Sequence, residues 1–518
     1  MRSTTRVIAA AAALLAASSL AACGSSSSSL PSTTTAAAPT TPTTLFPPST
    51  VPASTTPVTR PVNSSTRPPS TRPIVPTTQP ATTMAPPTQR SAPSTTHPPA
   101  IPPTAPSTTH PATTIAPTVP TTAPAEKWKG RTILIGAVLT VTGPTAAYGI
   151  DQARGLALAA KLINATGGIN GAKIRVAVKD DGGSPVTAEA MMRMLITKNK
   201  VLAVVGPTFS NAASMADPVA DQLKTLVLAI SNTGPGIVGS CAYPCSWVFR
   251  ASLGEQTAIP VNVASSLSRS PALSAAVLST SADPFAQTSG MIAAAAFRSS
   301  GVSVDGPIAI PAAPLAALRS AVKAAIASKP DRVFLTSSSY LADASMIKAL
   351  RSAGYKGQIL GGNAFNSAAT SLAASSAGKG AQSAAAWFRR SPTPANRSFV
   401  AAYVKEYKAQ PDQFAAQAFS GLELLAQAAR PAPLSFSFLA QDRAAMKSSL
   451  TTVSLVTPLG LFSFTKDHDV LQPVWVVAMD GKGGFTLVKL VTPAKAAAIA
   501  KRVPVVKQLS GSTTTSAP

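Results

Sequence analysis

From Arg131 onward the chain alternates between short apolar segments and longer segments whose apolar residues recur at helical spacing. The apolar segment TILIGAVL at 132–139 is continuous, as expected of a parallel strand that is covered on both faces. The segment at 151–165 has helical spacing, and strands and helices then continue to alternate as far as the strand at 225–231. This order predicts a doubly wound α/β lobe.

A second set of the same kind begins beyond Arg250. The predicted elements are strands at 273–280, 331–338 and 357–362, helices at 285–298, 315–328, 343–353 and 396–430, and hairpin strands within 459–490. Ligands of open α/β sheets bind beyond the carboxyl ends of the strands. Two α/β lobes of similar size therefore predict a ligand cleft between them.

The first 23 residues have the composition of an export signal. Two arginines accompany an apolar run over 7–17 that is too short to span a bilayer. Leu20-Ala21-Ala22-Cys23 follows and resembles the lipobox of bacterial lipoproteins, in which the cysteine is lipidated and becomes the mature N-terminus. We therefore expect a lipid anchor at Cys23 that holds the protein on the cell membrane, facing outside the cytoplasm. An ordinary secretory signal is the alternative.

Residues 24–130 are expected to form a disordered tether. Up to residue 125 they are mostly Ser, Thr, Pro and Ala, and the first acidic residue of the chain is Glu126. Such a composition buries too little apolar surface to offset the conformational entropy of the chain. On a lipid anchor, a tether of this length would hold a globular domain away from the membrane. Residues 501–518 are expected to be a disordered tail.

Basic residues outnumber acidic ones in the predicted globular part. The chain has 44 Lys and Arg against 19 Asp and Glu, and 38 of the basic and all of the acidic residues follow residue 125, which gives that part a formal charge of +19. The basic residues are scattered and not interleaved with aromatic ones, and an exported chain rarely meets nucleic acid. We therefore expect attraction to anionic cell-wall polymers or lipid head groups, and no nucleic-acid partner.

With Cys23 assigned to lipid, Cys241 and Cys245 remain, four positions apart in CAYPC. A local disulfide is the expected state of such a pair outside the cytoplasm. A metal site would need further ligands, and His468 is the only histidine of the predicted globular part. No metal or cofactor is predicted. His468 is expected to be a solvated turn residue and not a catalytic base, so the prediction is a binding protein and not an enzyme.

Polar residues follow two successive predicted strands of the first lobe. The candidates are Ser210 and Asn211 after the strand at 201–206, and Ser231, Asn232 and Thr233 at the end of the next strand. The free N–H groups of a helix's first turn, together with a hydroxyl, form a ready anion site. The alternative is that Ser210 only caps its helix and that the second loop only shapes a turn. Two such loops side by side predict a shared site for one carboxylate.

The segment from Gly136 to Ala188 resembles the start of the leucine/isoleucine/valine-binding protein family, type I periplasmic solute-binding proteins that serve ABC importers. The motifs that carry the resemblance are Thr142-Gly143-Pro144, Tyr148-Gly149, Asn164 to Ile169 and Asp180-Asp181, followed in order by VVGPTFSNAAS, FRASLGEQ and RSAGYKGQILGG. The resemblance covers essentially all of 131–490. It implies two doubly wound lobes with an interlobe ligand cleft, and permease subunits as protein partners.

We expect the first lobe to comprise 131–253 plus 384–452, and the second lobe 254–383 plus 453–500. The resemblance implies that Ser210 and the loop from Ser231 to Thr233 hold a ligand carboxylate and that Tyr148 lies at the pocket wall. On the second lobe it points to Phe285, Ser338, Tyr340 and Asn363, with Phe419 as a further aromatic.

Three of these positions depart from the amino-acid binders of the family. Phe285 replaces a tyrosine, Asn363 replaces an acidic residue, and Phe419 stands near an aromatic position but lacks a phenol. A ligand ammonium buried without a carboxylate partner would be costly to desolvate. Asp283 or Asp343 could substitute, but each is equally plausible as a helix-start residue. An anionic or neutral ligand with an apolar or aromatic body is therefore predicted, not necessarily an α-amino acid.

The predicted function is to capture a small carboxylate-bearing or amide-like ligand, similar to a branched-chain amino acid, for an ABC importer. The alternative is a wall-associated or sensory lipoprotein with the same fold and no transport role. The long tether favours the alternative, because the receptor of an importer must reach permease subunits at the membrane.

Overall fold

The computed structural model of the protein describes residues 126–507. The predicted export signal, the lipidation at Cys23 and nearly all of the predicted tether lie outside the described residues. Within 126–507, no helix is both long and apolar enough to cross a membrane.

The first half of the described chain forms a parallel five-stranded sheet with helices on both faces. Its elements are β1 (Thr132–Leu139), α1 (Ala146–Ala165), β2 (Lys173–Asp180), α2 (Pro185–Thr197), β3 (Ala203–Val205), α3 (Ser210–Gln222), β4 (Leu226–Ala229) and β5 (Val248–Arg250). The strand order is β2-β1-β3-β4-β5, with all neighbours parallel. Alternate β1 residues enter two separate buried clusters, one on each face of the sheet. The predicted doubly wound lobe is confirmed.

The next elements form the second lobe. They are α4 (Glu255–Arg269), β6 (Ser274–Thr280), α5 (Pro284–Arg298), β7 (Ser303–Ile310), α6 (Leu315–Ala325), β8 (Arg332–Thr336), α7 (Tyr340–Ser352), β9 (Gln358–Gly361), α8 (Ala368–Ala374) and β10 (Gln382–Ala385), with short 3₁₀ helices at Asn363–Asn366 and Ser375–Gly378. Strands β7, β6, β8, β9 and β10 lie side by side in parallel. The two-lobe α/β fold is therefore as predicted.

The remaining elements are shared between the lobes. They are α9 (Pro394–Tyr407), α10 (Gln413–Ala429), α11 (Leu439–Thr451), β11 (Ser454–Thr457), β12 (Gly460–Phe464), β13 (Val470–Leu471), β14 (Val474–Met479), β15 (Phe485–Val491) and α12 (Pro493–Ala500). Helices α9, α10 and α11 bury apolar residues against the first sheet. Strands β14 and β15 extend the second sheet in antiparallel fashion.

Strands β11 to β13 differ from the predicted lobe boundary. They form a separate small sheet, and Leu459 and Phe462 are buried in the same cluster as residues of β1 and α10. Residues 454–471 therefore pack on the first lobe, although 453–500 was predicted to belong wholly to the second. The physical reason is the Phe462 side chain of β12, which is buried in the first-lobe core.

The folded region also extends past both predicted ends. Trp128, predicted to lie in the tether, is buried against the first lobe, and its backbone N–H donates to Asn170 O at 2.7 Å. Val503, predicted to lie in a disordered tail, is buried against the second lobe. The Gln256 side chain bonds to Pro504 O and Val506 N at 3.1 and 3.3 Å. The predicted disorder is thus wrong for 501–507.

The single helix predicted over 396–430 is two helices. Lys408 has a left-handed backbone with φ of 53° and ends α9, and Asp412 caps α10 by accepting from Phe414 N and Ala415 N. The break lets α10 start beside the second lobe.

The loop between β4 and β5 carries the predicted disulfide, which joins Cys241 and Cys245. His468, between β12 and β13 of the small sheet, differs from its prediction. Its ring stacks on Phe249 with centroids 3.8 Å apart, and Nδ1 lies 3.1 Å from Val248 O. His468 is therefore a packed turn residue and not a solvated one, and burial lowers its pKa.

Candidate functional site

A cavity lies between the two lobes at the carboxyl ends of both sheets. Its walls come from the loops after β3 and β4 and from α1 and α10 on the first lobe, and from the start of α5 and the segments after β8 and β9 on the second. The lining residues are Tyr148, Thr208, Phe209, Ser210, Ser231, Phe285, Ser337, Ser338, Asn363, Ala364 and Phe414. In the first sheet the strand order reverses between β1 and β3, so the cavity lies at a topological switch point, where doubly wound sheets bind ligands.

Glycine residues allow the loops to approach this cavity. Gly206, directly after β3, has φ of 100°, and a Cβ there would lie 2.3 Å from Val138 O. A Cβ on Gly234 would lie 3.2 Å from Ser210 Oγ and 3.4 Å from the Phe285 ring. Gly234 therefore sits where the two first-lobe loops meet the second lobe.

The first-lobe wall is held by a buried network of side chains. Gln152 on α1 donates from Nε2 to Ser231 Oγ at 2.6 Å and accepts at Oε1 from Thr208 Oγ1 at 2.7 Å. Ser231 Oγ in turn donates to Thr208 O, also at 2.6 Å. Thr140 N donates to Thr208 Oγ1 at 3.0 Å. The network fixes the relative position of the loops after β1, β3 and β4.

Helix α3 begins at the cavity without a side-chain cap. Its N-cap residue is Phe209, which makes no side-chain cap hydrogen bond, and Ser210 is the first helical residue. Ser210 is therefore not the cap that the alternative interpretation required. Its Oγ accepts from Gly234 N at 3.1 Å, so the two loops predicted to be neighbours are in contact. The first-turn N–H groups of an uncapped helix suit an anionic group.

Two predicted ligand residues lie behind this wall. Asn232 and Thr233 are fully buried and are not among the residues that line the cavity. Thr233 O accepts from Glu255 N at 2.7 Å, and the Thr233 hydroxyl lies beside the Glu255 carboxyl. Thr233 therefore does not face the cavity together with Ser210 in this arrangement, because the chain turns inward after Ser231 to meet α4, and a shared ligand stays a prediction.

Asn211 and Asp283 connect the lobes at the rim of the cavity. Asn211 Nδ2 on the first lobe donates to Asp283 Oδ1 on the second at 3.1 Å. The same carboxylate accepts from Ser338 N and Oγ at 2.8 and 3.2 Å, from Ala286 N and from Thr280 Oγ1. Asn211 was predicted to contact ligand, and here it bridges the lobes. Asp283 is fully engaged with protein donors, as the helix-start interpretation required.

The apolar part of the cavity is a cluster of aromatic rings around Tyr148. The Tyr148 ring lies 5.7 Å from Phe209, 5.8 Å from Tyr340 and 4.7 Å from Phe414, measured between centroids. Burial raises the pKa of Tyr148 well above its ordinary value. Phe285, on α5 of the second lobe, is a further ring that lines the cavity. Tyr340 thus supports the wall through Tyr148 and does not line the cavity itself.

Phe419 is not part of this cluster. It lies in the core of the first lobe, 4.8 Å from the ring of Phe399. Phe414, five residues earlier on α10, occupies the place that was predicted for Phe419. The sequence prediction identified the right helix and the wrong residue.

Asn363 joins the lobes at the base of the cavity. Its Oδ1 accepts from Gln413 Nε2 on α10 at 2.8 Å, and its N–H donates to Glu255 Oε1 at 2.9 Å. Glu255 begins α4 and is fully buried, and burial raises the pKa of its carboxyl to about 7, against the lowering effect of the Asn363 N–H. Asp412, whose Oδ2 accepts from Ala368 N of α8, has a pKa raised by burial to about 8.

No aspartate or glutamate lines the cavity among residues 126–507. Asp343 is buried behind Ser337, whose Oγ donates to Asp343 Oδ1 at 2.8 Å, and burial raises the pKa of that carboxyl well above its ordinary value. Within the described range, side chains of the types that bind metals do not gather in groups of three or more. The cavity can therefore offer hydroxyls, amides, helix N–H groups and aromatic faces.

Sequence reasoning missed Gln152, Thr208 and Phe414. Gln152 and Phe414 lie on helices far along the chain from the loops they support, and no local pattern separates them from core residues. Thr208 stands two residues before Ser210 in the same loop, and its position beyond a strand end was the available signal.

Comparisons with known proteins agree with this arrangement. The sequence model of the family described as "Periplasmic binding protein" matches residues 132–484. A protein of Pseudomonas aeruginosa named amino acid binding protein is 35% identical over 105 residues, which cover 20% of this chain and 28% of that protein. The matched stretch is thus less than a third of the relative's length.

Solved structures extend the similarity over nearly the whole described region. The branched-chain amino acid transporter substrate binding protein of Streptococcus pneumoniae, in complex with isoleucine, aligns with a TM-score of 0.60 at 22% identity, over 70% of this chain and 99% of that one. A solute binding protein of an ABC transporter from R. palustris, in complex with benzoate, aligns with a TM-score of 0.59 at 20% identity, over 73% and 98%.

These structural similarities establish the fold, while the family match carries the assignment. It runs from the first strand of the first lobe to the last hairpin of the second. The family consists of binding proteins and not of enzymes, as predicted. The chain belongs to the periplasmic binding protein family.

Proposed function

We propose that the protein captures a small carboxylate-bearing or amide-like ligand between its two lobes and delivers it to an ABC importer. The observation that carries this proposal is the uncapped start of α3, which opens on an interlobe cavity with aromatic walls and no acidic lining residue.

The first-lobe wall supplies the donors for a negatively polarised group. Ser210 lies at the first turn of α3, and Ser231 and Thr208 are held nearby by Gln152. Helix N–H groups and hydroxyls bind carboxylates with charge-assisted hydrogen bonds. A ligand ammonium finds no carboxylate on the cavity surface, since Asp283 is engaged by its own neighbours. This supports an anionic or neutral ligand.

The aromatic residues favour an apolar body on that ligand. Tyr148, Phe209, Phe285 and Phe414 all border the cavity, and flat or branched apolar groups pack well on such rings. Relatives with this fold have been solved with isoleucine and with benzoate. Both ligands combine a carboxylate with an apolar body, the two features that this cavity suits, and isoleucine also has an α-ammonium, for which this cavity has no carboxylate partner among the described residues.

Ligand entry requires the lobes to separate. The cavity has a volume of about 30 Å³, which is room for no more than a few water molecules. Three hydrogen bonds cross between the lobes around it, from Asn211 to Asp283, from Gln413 to Asn363, and from Ala368 N to Asp412. A hinged opening that breaks these bonds would admit a ligand, and closure would then bury it.

The proposal places the protein on the outer side of the cell membrane, anchored through lipid at Cys23. The lipobox-like Leu20-Ala21-Ala22-Cys23 and the low-complexity stretch after it support this placement. The stretch also supports the second candidate, a wall-associated or sensory lipoprotein, because it gives the domain a long reach. Loss of ligand uptake on deletion of the gene would support import, and unchanged uptake would support the second candidate.

A matched pair of ligands tests the proposed chemistry. Leucine and 4-methylpentanoate share the same branched body and carboxylate, and differ by the α-ammonium. We expect calorimetry to give tighter binding of 4-methylpentanoate, because burial of an unpaired ammonium costs several kcal/mol. 4-Methylpentanamide reports on amide-like ligands. Binding of leucine that is tighter than binding of 4-methylpentanoate would contradict the assignment of an anionic or neutral ligand.

A further inference from the structure

A shallow, open basic depression lies on the second lobe, away from the ligand cavity. It has a volume of about 610 Å³ and is bordered by α6, α7 and the 3₁₀ helix that follows α8. Its lining residues are Arg319, Lys348, Arg351, Ser352, Ser376, Ala377 and Lys379. We call this set the basic concavity. Four of its seven residues are cationic and none is acidic.

The four cations are not neutralised by the protein. Among residues 126–507, Arg319, Lys348, Arg351 and Lys379 take part in none of the ion pairs. Arg351 Nη1 donates to two backbone carbonyls, those of Tyr355 and Gly357. All 19 aspartates and glutamates of the chain lie within 126–507. The remaining segments therefore have no acidic side chain with which to cover the basic concavity.

Helix stabilisation explains only part of the arrangement. Lys348 and Arg351 lie near the C-terminus of α7, where a cation is favourable to the helix dipole. Arg319 lies in the first half of α6, and Lys379 follows a 3₁₀ helix. Neither cation is stabilised by the C-terminal end of a helix dipole in this way. Three separate elements thus bring like charges together against their mutual repulsion, which is typical of a surface with an anionic partner.

The basic concavity is separate from the ligand cavity. Helix α7 begins at Tyr340, beside the cavity, and ends at Ser352, in the basic concavity. Its 13 residues span about 20 Å at the rise of an α-helix. A partner bound there leaves the interlobe cleft free to open and close.

We propose that the basic concavity binds the phosphate groups of an anionic cell-surface polymer. Arg and Lys are the side chains that recognise phosphate. The tether expected between Cys23 and Arg131 would hold the domain away from the bilayer, which favours a polymer strand over lipid head groups as the source of the phosphate. The surplus of basic residues in the described part adds a long-range attraction of the same sign. The proposal does not rest on the function of the ligand cavity.

The test uses the full chain, purified in mild detergent, with inorganic polyphosphate as the probe. The triple variant Arg319→Ala, Lys348→Ala, Lys379→Ala removes three cations and keeps Arg351, which bonds to the backbone. We expect its affinity for polyphosphate to fall by at least roughly tenfold at low salt. The dependence of affinity on salt should also become weaker, by about one unit of slope for each phosphate that the protein no longer neutralises.

The matched control removes the same charge elsewhere. Arg175, Lys198 and Lys489 are exposed, lie outside the basic concavity and make no ion pair among residues 126–507. We expect the triple alanine variant of these residues to lose less than about threefold in affinity, since only the non-specific attraction changes.

Three outcomes would overturn the proposal. One is an unchanged affinity in the first variant, and another is an equal loss in both variants, which would indicate net charge alone. The third is that vesicles of phosphatidylglycerol bind the protein more tightly than polyphosphate at equal phosphate, and lose that binding in the first variant. Equal melting temperatures of the three proteins establish that folding is not the cause of any difference.

Discussion

The two walls of the interlobe cavity are built on similarly wound sheets but differ in chemistry. The first-lobe wall combines the uncapped start of α3 and strand-end hydroxyls, of which Thr208 and Ser231 are held by Gln152, with three of the four aromatic rings. The second-lobe wall presents the Phe285 ring beside serine hydroxyls and the Asn363 amide, and the nearby Asp283 carboxylate is engaged by protein donors. The first lobe therefore supplies the helix N-terminus and most of the apolar surface, whereas the second lobe supplies one ring and neutral polar groups. Such a division directs the negative end of a ligand towards the first lobe.

The largest expected effect concerns Glu255, which lies between the two walls. Burial raises the pKa of its carboxyl from the usual 4.5 to about 7. Between these pH values the folded protein binds more protons than the unfolded chain, so this group makes the folded state less stable as pH rises through that window. Through its shifted pKa, Glu255 lowers the free energy of unfolding by up to about 3 kcal/mol across this window. In the Glu255→Gln variant, we expect urea unfolding at pH 5 and pH 7.5 to show a correspondingly smaller loss.

Asp412 gives the control for this prediction. Its pKa is raised by burial to about 8, so it lowers stability in the same direction as pH rises, and it is present in both proteins. A residual loss in the Glu255→Gln variant is therefore expected. If the two proteins lost the same free energy of unfolding between the two pH values, Glu255 would not be buried as described.

The second prediction separates the two loops of the first-lobe wall. Ser210 lines the cavity, whereas the Thr233 hydroxyl lies behind it, beside Glu255. We expect Ser210→Ala to weaken binding of 4-methylpentanoate by about 1–3 kcal/mol, the range for removal of a hydrogen bond to a charged group. Thr233→Val should leave the affinity unchanged within about threefold, that is, within about 0.7 kcal/mol. Calorimetry on both variants measures the difference.

Equal losses in the two variants would favour the arrangement expected from the sequence, in which both residues share one carboxylate. That result would mean that the loop after β4 rearranges when a ligand is bound. Loss of affinity in neither variant would remove Ser210 from the site and leave it as a residue that only accepts from Gly234 N.

The sequence predicted the fold well because hydrophobic periodicity is a local property. Strand β1 is a continuous apolar run, and the helices after it have apolar residues at helical spacing. Both patterns can be recognised without knowledge of distant contacts. Helix α4 was missed because its sequence contains Pro260 and many polar residues, yet nine of its residues are buried, and the helix packs on α5, α12 and β10 of the second lobe. The packing of β12 on the first lobe depends on long-range contacts that no local pattern contains.

Part of the site could also be predicted from local sequence, and the rest depends on contacts with distant segments. Loops after parallel strands share one edge of a sheet, and the loops that carry Ser210 and Ser231 lie side by side, since Ser231 Oγ donates to Thr208 O and Gly234 N donates to Ser210 Oγ. The direction in which Thr233 turns is set by Glu255 and β5, which lie further along the chain. Periodicity on α10 likewise does not show which aromatic faces the cleft, because both Phe414 and Phe419 are buried.

The smallest expected effect distinguishes these two aromatic residues of α10. Phe414 borders the cavity and packs on Tyr148, while Phe419 packs on Phe399 in the first-lobe core. Substitution of either by leucine keeps an apolar side chain, and we expect each to lower the free energy of unfolding by about 1 kcal/mol. Only Phe414→Leu should also weaken ligand binding, by about 1 kcal/mol, because the apolar wall of the cavity loses an aromatic face.

Phe419→Leu is the matched control, since it changes the same residue type on the same helix. A loss of affinity in Phe419→Leu that equalled the loss in Phe414→Leu would mean that the ligand responds to the position of α10 as a whole. The contrast between a ring that borders the cavity and a ring in the first-lobe core would then not describe how the ligand is held.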